Sequence, residues 1–338
     1  MKQLFIVLAG ICMLILLVPT LLVLPFQGES GMPKTNQNTV QKEEKKTATL
    51  KESPVSIPVY RTADRQVEDI PLEEYVIGVV ASEMPADFDM EALKAQSLAA
   101  RTYIVRQMVS DRAVQPPKGS LVDDTQMFQV YKSKSELQQI WKKDYDWKIK
   151  KVTEAVASTQ GKILTYDQKP IDASFFSTSN GYTENAEAYW TSDIPYLKSV
   201  KSSWDRKSPK FLNHKTFTAA EFEQKLGVTL PNSNRIGEIT ERTPGKRVAT
   251  AVINGKKLEG RDIREKLGLN SADFDWKRQG DQIIVTTRGY GHGVGMSQYG
   301  AHYMAKEGKK AEDIVKYYYK GTAISNADQF LNKYMAKK

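Results

Sequence analysis

The sequence predicts an α+β protein, in which mixed helices and antiparallel-rich sheets build one grooved domain. Two kinds of pattern indicate this class. Several segments place apolar residues at three- and four-residue spacing, and shorter β-branched runs end in glycine. No internal repeat and no regular strand–helix alternation is visible along the 338 residues. A doubly wound parallel sheet is therefore not expected.

The first helix is predicted for "EDIPLEEYVIGVVASEMP", residues 68–85, with Pro71 in its first turn and Pro85 at its end. Leu72, Val76 and Val79 repeat at the spacing of one helix face. A second helix is predicted over residues 87–109, since an aspartate at its start can cap it. Its alanines recur every three or four residues, which favours close packing against other helices.

Further helices are predicted for "KIKKVTEAVASTQG", "GRDIREKLGL", "SQYGAHYMAKEG" and "AEDIVKYYYKG", the last two closing the chain. Strands are predicted for "KILTYDQKPIDASFFSTS", on both sides of a turn, and for "KRVATAVING" and "DQIIVTTRG". The stretch "STSNGYTENAEAYW" is predicted to be a polar loop.

The N-terminal segment divides the chain. Residues 4–26 carry no charge and exceed the about 20 apolar residues that span a bilayer. No small-residue cleavage site follows, so residues 1–27 are predicted to be an uncleaved transmembrane anchor. Residues 28–54 are polar and predict a flexible stalk. Residues 55–338 predict an extracytoplasmic domain, with a candidate subdomain insertion at about 205–280.

Charge and composition limit the classes of ligand and cofactor that the protein is expected to bind. The net charge of +9 fits either an anionic partner or a solvated basic surface. No arginine-rich stripe with interleaved aromatic residues occurs, so nucleic acid is not expected. Cys12 is the only cysteine, and the three histidines have no metal-ligand spacing. Neither a metal site nor another cofactor is predicted.

Glu83 is the candidate catalytic residue. It continues the apolar stripe of the first predicted helix and lies in the last turn, near the negative end of the helix dipole. Burial and that dipole both favour the protonated carboxyl and raise its pKa, as a general acid requires. The alternative is a glutamate that escapes to solvent at a frayed helix end.

A glycine-rich stretch, "RGYGHGVGMSQYG" at residues 288–300, has neither the G-x-G-x-x-G spacing nor a Walker lysine. It predicts a backbone floor for a polar ligand, with His292, Ser297, Gln298 and Tyr299 as binding residues. A tight structural crossing is the alternative.

The stretch "STSNGYTEN" supplies similar small polar groups beside an aromatic ring. It adds the binding candidates Ser177, Ser179, Tyr182 and Thr183. A sugar polymer would match both stretches, and so would an ordinary surface turn.

Five motifs in order carry a family resemblance: "EEYVIGVVASEMP", "EALKAQSLAARTY", "STSNGYTEN", "PYLKSV" and "RGYGHGVGMSQYGA". Over roughly residues 55–325, together with the anchor, the chain resembles the stage II sporulation protein D family, which includes amidase-enhancer proteins. The resemblance implies a membrane-anchored lytic transglycosylase that acts on peptidoglycan during engulfment. It implies that Glu83 is the catalytic acid and base.

The resemblance also implies a substrate, partners and a location. The substrate would be denuded glycan strands, cleaved between MurNAc and GlcNAc with formation of a 1,6-anhydro sugar. The partners would be an amidase, stage II sporulation protein P, and a membrane protein, stage II sporulation protein M. The protein would lie in the cell membrane on the mother-cell side of the sporulation septum.

Three further positions follow from the resemblance. Arg101 and Lys198 match family positions and are expected to bind substrate, and Tyr290 is expected to stack on it. Relatives with a structural zinc use a cysteine where Phe128 stands, so no zinc is expected. The rival hypotheses are a non-catalytic glycan-binding activator of an amidase and a membrane-tethered structural protein.

Overall fold

The computed structural model describes residues 49–110, 115–190 and 192–336. The predicted anchor and residues 28–48 of the predicted stalk lie outside these ranges. Within them, no helix is both long enough and apolar enough to cross a bilayer.

Helices and strands are interleaved along the described chain. The helices are α1 Leu72–Glu83, α2 Met90–Val109, α3 Lys134–Trp141, α4 Tyr145–Ser158, α5 Glu187–Trp190, α6 Ala219–Leu226, α7 Gly260–Leu267, α8 Gln298–Lys306, α9 Ala311–Tyr318 and α10 Asp328–Met335. The strands are β1 Ser56–Arg61, β2 Gln66–Pro71, β3 Val122–Asp123, β4 Lys162–Tyr166, β5 Lys169–Pro170, β6 Phe175–Phe176, β7 Leu212–Thr218, β8 Glu238–Arg242, β9 Val248–Ile253, β10 Lys256–Glu259, β11 Phe274–Gln279, β12 Gln282–Arg288, β13 Met296–Ser297 and β14 Ala323–Asn326.

The strands form small sheets, and most neighbours are antiparallel. Their orders are β2–β1–β3, β10–β9–β8, β11–β12–β7, β13–β6 and β14–β4–β5. The pairs β1–β3 and β13–β6 are parallel. The α+β class with antiparallel sheets is confirmed. The β13–β6 pair matters most for the site, because it joins the glycine-rich stretch to the segment after β5.

The two helices that frame the site end where the sequence predicts, and they begin a few residues later than predicted, at Leu72 and Met90. Pro71 directly precedes α1, and Met84 turns extended (φ −123, ψ 133), which ends the helix before Pro85. Asp89 caps α2 by accepting a hydrogen bond from the Glu91 N–H at 3.0 Å. The alanine face of α2 is fully buried, as its spacing indicates.

Apolar residues gather in two separate cores. The larger core surrounds α1, α2, α4, α8 and α9. The smaller core consists of residues between Phe217 and Val285 and fills the space between α6, α7 and two of the sheets. This second core lies mainly within the predicted insertion, whose boundaries stay a prediction.

Some elements differ from the prediction. Residues 68–71, expected in the first helix, complete β2, where Ile70 pairs with Ile57 and is buried. The short helix α5 interrupts the predicted polar loop. The chain does not close with α9, since β14 pairs with β4 and α10 follows.

Candidate active site

A groove of about 780 Å³ runs past the C-terminal end of α1. Glu83 lines it together with residues of α2, of the loop 126–130, of the segment 172–177 and of the glycine-rich stretch. Glu83 and His292, about two hundred residues apart in sequence, therefore line one cleft. Only the tertiary structure brings these two residues together.

The Glu83 carboxyl is held by a single hydrogen bond. Its Oε1 accepts from the Val130 N–H at 2.9 Å, and Oε2 has no partner in the described part of the chain. Burial raises the pKa of Glu83, and the bond from Val130 opposes this rise only in part. Because Oε1 already accepts a hydrogen bond from the Val130 N–H, Oε2 is the oxygen that carries the acid proton.

Gln298 connects the glycine-rich stretch to the catalytic candidate. Its Nε2 donates to the backbone carbonyl of Glu83 at 2.9 Å. Ser297 caps α8 by accepting from the Gly300 N–H at 3.3 Å, so Gln298 occupies the first turn of that helix. Gln298 thus lines the groove and also fixes the end of α1.

The glycines in this stretch serve packing more than ligand approach. At Gly295 (φ +81) a Cβ atom would lie 1.9 Å from the Ser174 carbonyl oxygen. At Gly293 (φ +92) it would lie 2.2 Å from the Arg247 guanidinium. No side chain fits at such distances. The stretch is therefore the tight crossing that the sequence analysis gave as its alternative, although Gly291 lines the groove.

His292 presents a neutral ring to the groove. Its Nδ1 accepts from the Val294 N–H at 3.1 Å, so Nε2 carries the proton and donates to the Phe175 carbonyl at 3.0 Å. Burial lowers its pKa to about 4. With both nitrogens engaged, His292 offers substrate its ring face, beside the rings of Phe176 and Tyr189.

Two of the predicted binding serines are structural. Ser179 and Ser297 are fully buried and donate to Asp205, Ser179 Oγ at 2.8 Å and Ser297 Oγ at 2.5 Å. Asp205 also accepts from the Ser179 N–H at 3.0 Å and from Ser202 Oγ at 2.6 Å. The prediction that these hydroxyls bind substrate is corrected, because the buried carboxylate uses them.

Arg101 is likewise placed away from the groove. Its side chain is 0% exposed, and Nη2 and Nε bond the buried Glu73 carboxylate at 2.7 and 2.9 Å. Further guanidinium bonds reach the carbonyls of Val156 and Lys162 at 3.2 Å each. The expected role in substrate binding is corrected to the joining of α1, α2 and the end of α4.

Three other binding candidates do not line the groove. Thr183 is buried, and its Oγ1 accepts from the Val200 N–H at 2.8 Å. Lys198 forms ion pairs with Glu187 and Asp193. Tyr182 is 37% exposed but lies outside the groove lining. Ser177, Tyr290, His292, Gln298 and Tyr299 are the predicted binding residues that the groove brings together with Glu83.

The groove also contains charged residues that sequence reasoning missed. Arg106 pairs with Asp172 at 3.3 Å, whereas Lys210 and Arg264 have no ion pair among the described residues. The groove therefore has a surplus of positive charge and favours an anionic ligand. Arg106 lies on α2 near Tyr103 and Gln107, which also line the groove, so the helical period could have revealed it.

Within the described residues, no group of three or more histidine, cysteine, aspartate and glutamate side chains could hold a metal ion. Asp172 is the other carboxylate in the groove lining. It also accepts from Ser174 Oγ at 2.7 Å and so is already committed to protein partners.

The fold and groove define a mixed α+β protein of the class with one desolvated carboxyl group in the wall of an open groove. Comparison with known proteins points to one family. The family model described as "Stage II sporulation protein" matches residues 60–166. Stage II sporulation protein D of Bacillus subtilis (strain 168) is 72% identical over 343 residues, covering 100% of both chains. The protein of the same name from Bacillus amyloliquefaciens is 67% identical over 344 residues, again covering 100% of both chains.

A more distant relative is the protein named amidase enhancer from Bacillus subtilis (strain 168). It is 29% identical over 306 residues, which are 74% of this chain and 40% of the relative. The chain belongs to the stage II sporulation protein D family, a family named for its place in sporulation. The predicted family resemblance is thus confirmed.

Proposed function

We propose that the protein is a membrane-anchored lytic transglycosylase, which cleaves MurNAc–GlcNAc bonds of denuded peptidoglycan strands during engulfment. The observation that carries this proposal is Glu83. It is a desolvated carboxyl with a raised pKa and one free oxygen, in the wall of a groove that favours an anionic polymer.

The chemistry needs only one acid–base group. Glu83 Oε2 donates its proton to the glycosidic oxygen as the C1–O bond breaks. The C6 hydroxyl of the same MurNAc attacks C1 to form the 1,6-anhydro ring, and its proton passes to Glu83. The acid is regenerated, and no water is consumed. Ordinary glycosidases need a second carboxylate for water or for a covalent intermediate. Here Asp172 is tied to Arg106 and Ser174.

The test is Glu83→Gln on denuded glycan strands, with products identified by mass spectrometry. A lytic transglycosylase releases anhydro products, each lighter by one water than a hydrolysis product. We expect the variant to lose cleavage and to keep strand binding. Glu74→Gln is the matched control, since Glu74 lies on α1, pairs with Lys134 at 3.0 Å and is outside the groove. If the unmodified protein released hydrolysis products in place of anhydro products, the proposal would be contradicted.

The alternative is a non-catalytic, glycan-binding activator of a cell-wall amidase. The name of the relative called amidase enhancer favours it. Amidase assays with and without this protein distinguish the two functions. The activator function is correct if two results are found together. Glu83→Gln must stimulate an amidase as well as the unmodified protein does, and the unmodified protein must form no anhydro sugar.

Partners and location extend the proposal. Stage II sporulation protein P would supply denuded strands by removing stem peptides, and stage II sporulation protein M would complete a membrane assembly. Residues 4–26 would hold the protein in the membrane on the mother-cell side of the septum. Membrane fractionation and co-purification of the full-length chain test both parts.

A further inference from the structure

A second cleft adjoins the groove. It measures about 460 Å³ and shares Tyr299 with the groove. The segment Asp87–Met90, after α1, forms one side of it. His302, Tyr303 and Lys306 of α8 form another side. Any long ligand that passes Tyr299 therefore reaches this cleft without leaving the protein surface.

The cleft contains four connected rings, here called the aromatic platform: Phe88, Tyr299, His302 and Tyr303. Phe88 stacks on His302 with centroids 4.4 Å apart and meets Tyr299 edge-on at 4.8 Å. Tyr299 and Tyr303 are one helical turn apart on α8, with centroids 6.4 Å apart. None of these aromatic rings except Phe88 is fully buried. The platform is thus a partly open surface of apolar ring faces.

Hydrogen bonds hold the platform in place. His302 Nδ1 accepts from the Asp89 N–H at 2.9 Å, so the proton of the neutral ring lies on Nε2. Burial lowers the pKa of His302, which keeps the ring neutral and its Nε2–H available as a donor. The Tyr303 hydroxyl donates to the Lys207 carbonyl at 2.8 Å. Rings fixed before a ligand arrives lose little entropy when it binds.

A lysine marks the junction of groove and platform. Lys210 Nζ lies 5.3 Å from the ring centre of Tyr290 and 6.0 Å from that of Tyr299. Lys210 is exposed, and no acidic side chain pairs with it in the described ranges. Lys207, over Tyr303, is in contrast paired with Glu307 at 3.2 Å. Lys210 therefore offers a ligand anion at this junction an ammonium group that is unpaired among the residues that the structure describes.

We propose that the glycan strand continues from the groove past Tyr299 onto the aromatic platform, which forms an additional binding section for strands longer than the groove holds. Pyranose rings have an apolar C–H face and a hydroxyl edge, and these match aromatic faces beside the His302 Nε2–H donor. Lys210 pairs with a sugar carboxylate at the junction. This inference rests on the proposed function only for the identity of the strand.

The experiment measures binding separately from cleavage. Glu83→Gln protein is titrated with denuded glycan fractions of short and long defined length. Adding Tyr303→Ala is expected to weaken binding of long strands about tenfold, or roughly 1.4 kcal/mol, and to leave short strands unchanged. Tyr303→Phe keeps the ring and is the matched control, expected to bind long strands nearly as the parent does. Equal affinities for long strands in all three proteins would overturn the inference, as would equal losses for short and long strands.

Lys210→Gln tests the charge. The parent is expected to prefer denuded glycan over uncharged N-acetylglucosamine oligomers of equal length, and the variant is expected to lose that preference. An unchanged preference would refute the role of Lys210. Should the unmodified protein fail to cleave while strand length still governs affinity through Tyr303, the transglycosylase proposal fails and the platform stands. If the unmodified protein cleaves but Tyr303 has no effect on the affinity for long strands, only the platform proposal fails.

Discussion

The pKa is raised at both Glu83 and Asp205, but Glu83 is only partly buried whereas Asp205 is fully buried. Asp205 accepts hydrogen bonds from Ser179, Ser202 and Ser297 and lies wholly inside the protein. Glu83 accepts one bond, from Val130, and lines a groove. Burial alone therefore does not mark a catalytic acid. The distinguishing feature is an oxygen that the protein leaves without a partner, at a surface that a ligand can reach.

The largest expected difference between substituting Glu83 and substituting Asp205 is in the rate of catalysis. Glu83→Gln should lower the rate of anhydro-sugar release about a thousandfold, because the leaving oxygen loses its proton donor. Thermal stability at neutral pH should not fall, since a neutral amide replaces a desolvated acid. Initial rates of anhydro-sugar release measure the first effect, and thermal melts measure the second. A residual rate within about tenfold of the parent would show that another group supplies the proton.

Asp205→Ala should act on stability instead. It removes the charged acceptor shared by three buried serine hydroxyls and the Ser179 N–H, and we expect the free energy of unfolding to fall by about 3 kcal/mol. Urea unfolding measures it. Asp193→Ala is the control, because that side chain is 73% exposed and should change stability by about 0.5 kcal/mol or less. If both variants unfold at the same urea concentration, the bonds from Ser179 and Ser297 to Asp205 do not stabilise the fold.

Arg101→Lys should cost about 2 kcal/mol of stability, since a lysine cannot reproduce the two bonds to Glu73 and the carbonyl bonds. The KM for glycan should stay unchanged. Arg106→Lys is the contrasting variant in the groove, with a raised KM and nearly unchanged stability. A raised KM with full stability for Arg101→Lys would restore the substrate-binding role that the sequence predicted.

The smallest effect is the pH dependence of stability. The folded pKa of Glu83 lies above its unfolded value, so folding loses stability as pH rises through the folded pKa. Glu83→Gln has no such loss. The variant should match the parent below the ordinary carboxyl pKa and become relatively more stable at higher pH. Cleavage by the parent should decline over the same range, because the acid form disappears. Parallel stability curves at every pH would contradict the raised pKa.

The sequence predicted the helices beside the groove, and it predicted Glu83 as the catalytic candidate. Apolar spacing and the two prolines place Glu83 at the end of α1 on its buried face. Neither the family resemblance, for Arg101, nor the glycine-rich pattern, for Ser297, indicated the partner, because a polar residue in a motif looks the same whether it contacts a ligand or a buried group. The partner Asp205 lies in the segment 203–207, which carries no motif, and only folding brings it to those serines.

The sequence by itself determined the α+β class, the family and the candidate catalytic carboxyl, because these depend on local periodicity and on motifs in fixed order. Tertiary structure alone decided which polar groups face the groove. It paired Arg101 with Glu73, enclosed Ser179 and Ser297 around Asp205, and set Gln298 against the end of α1. The physical reason is that the role of a polar side chain depends on which partners remain unsatisfied after folding, and those partners are distant in sequence.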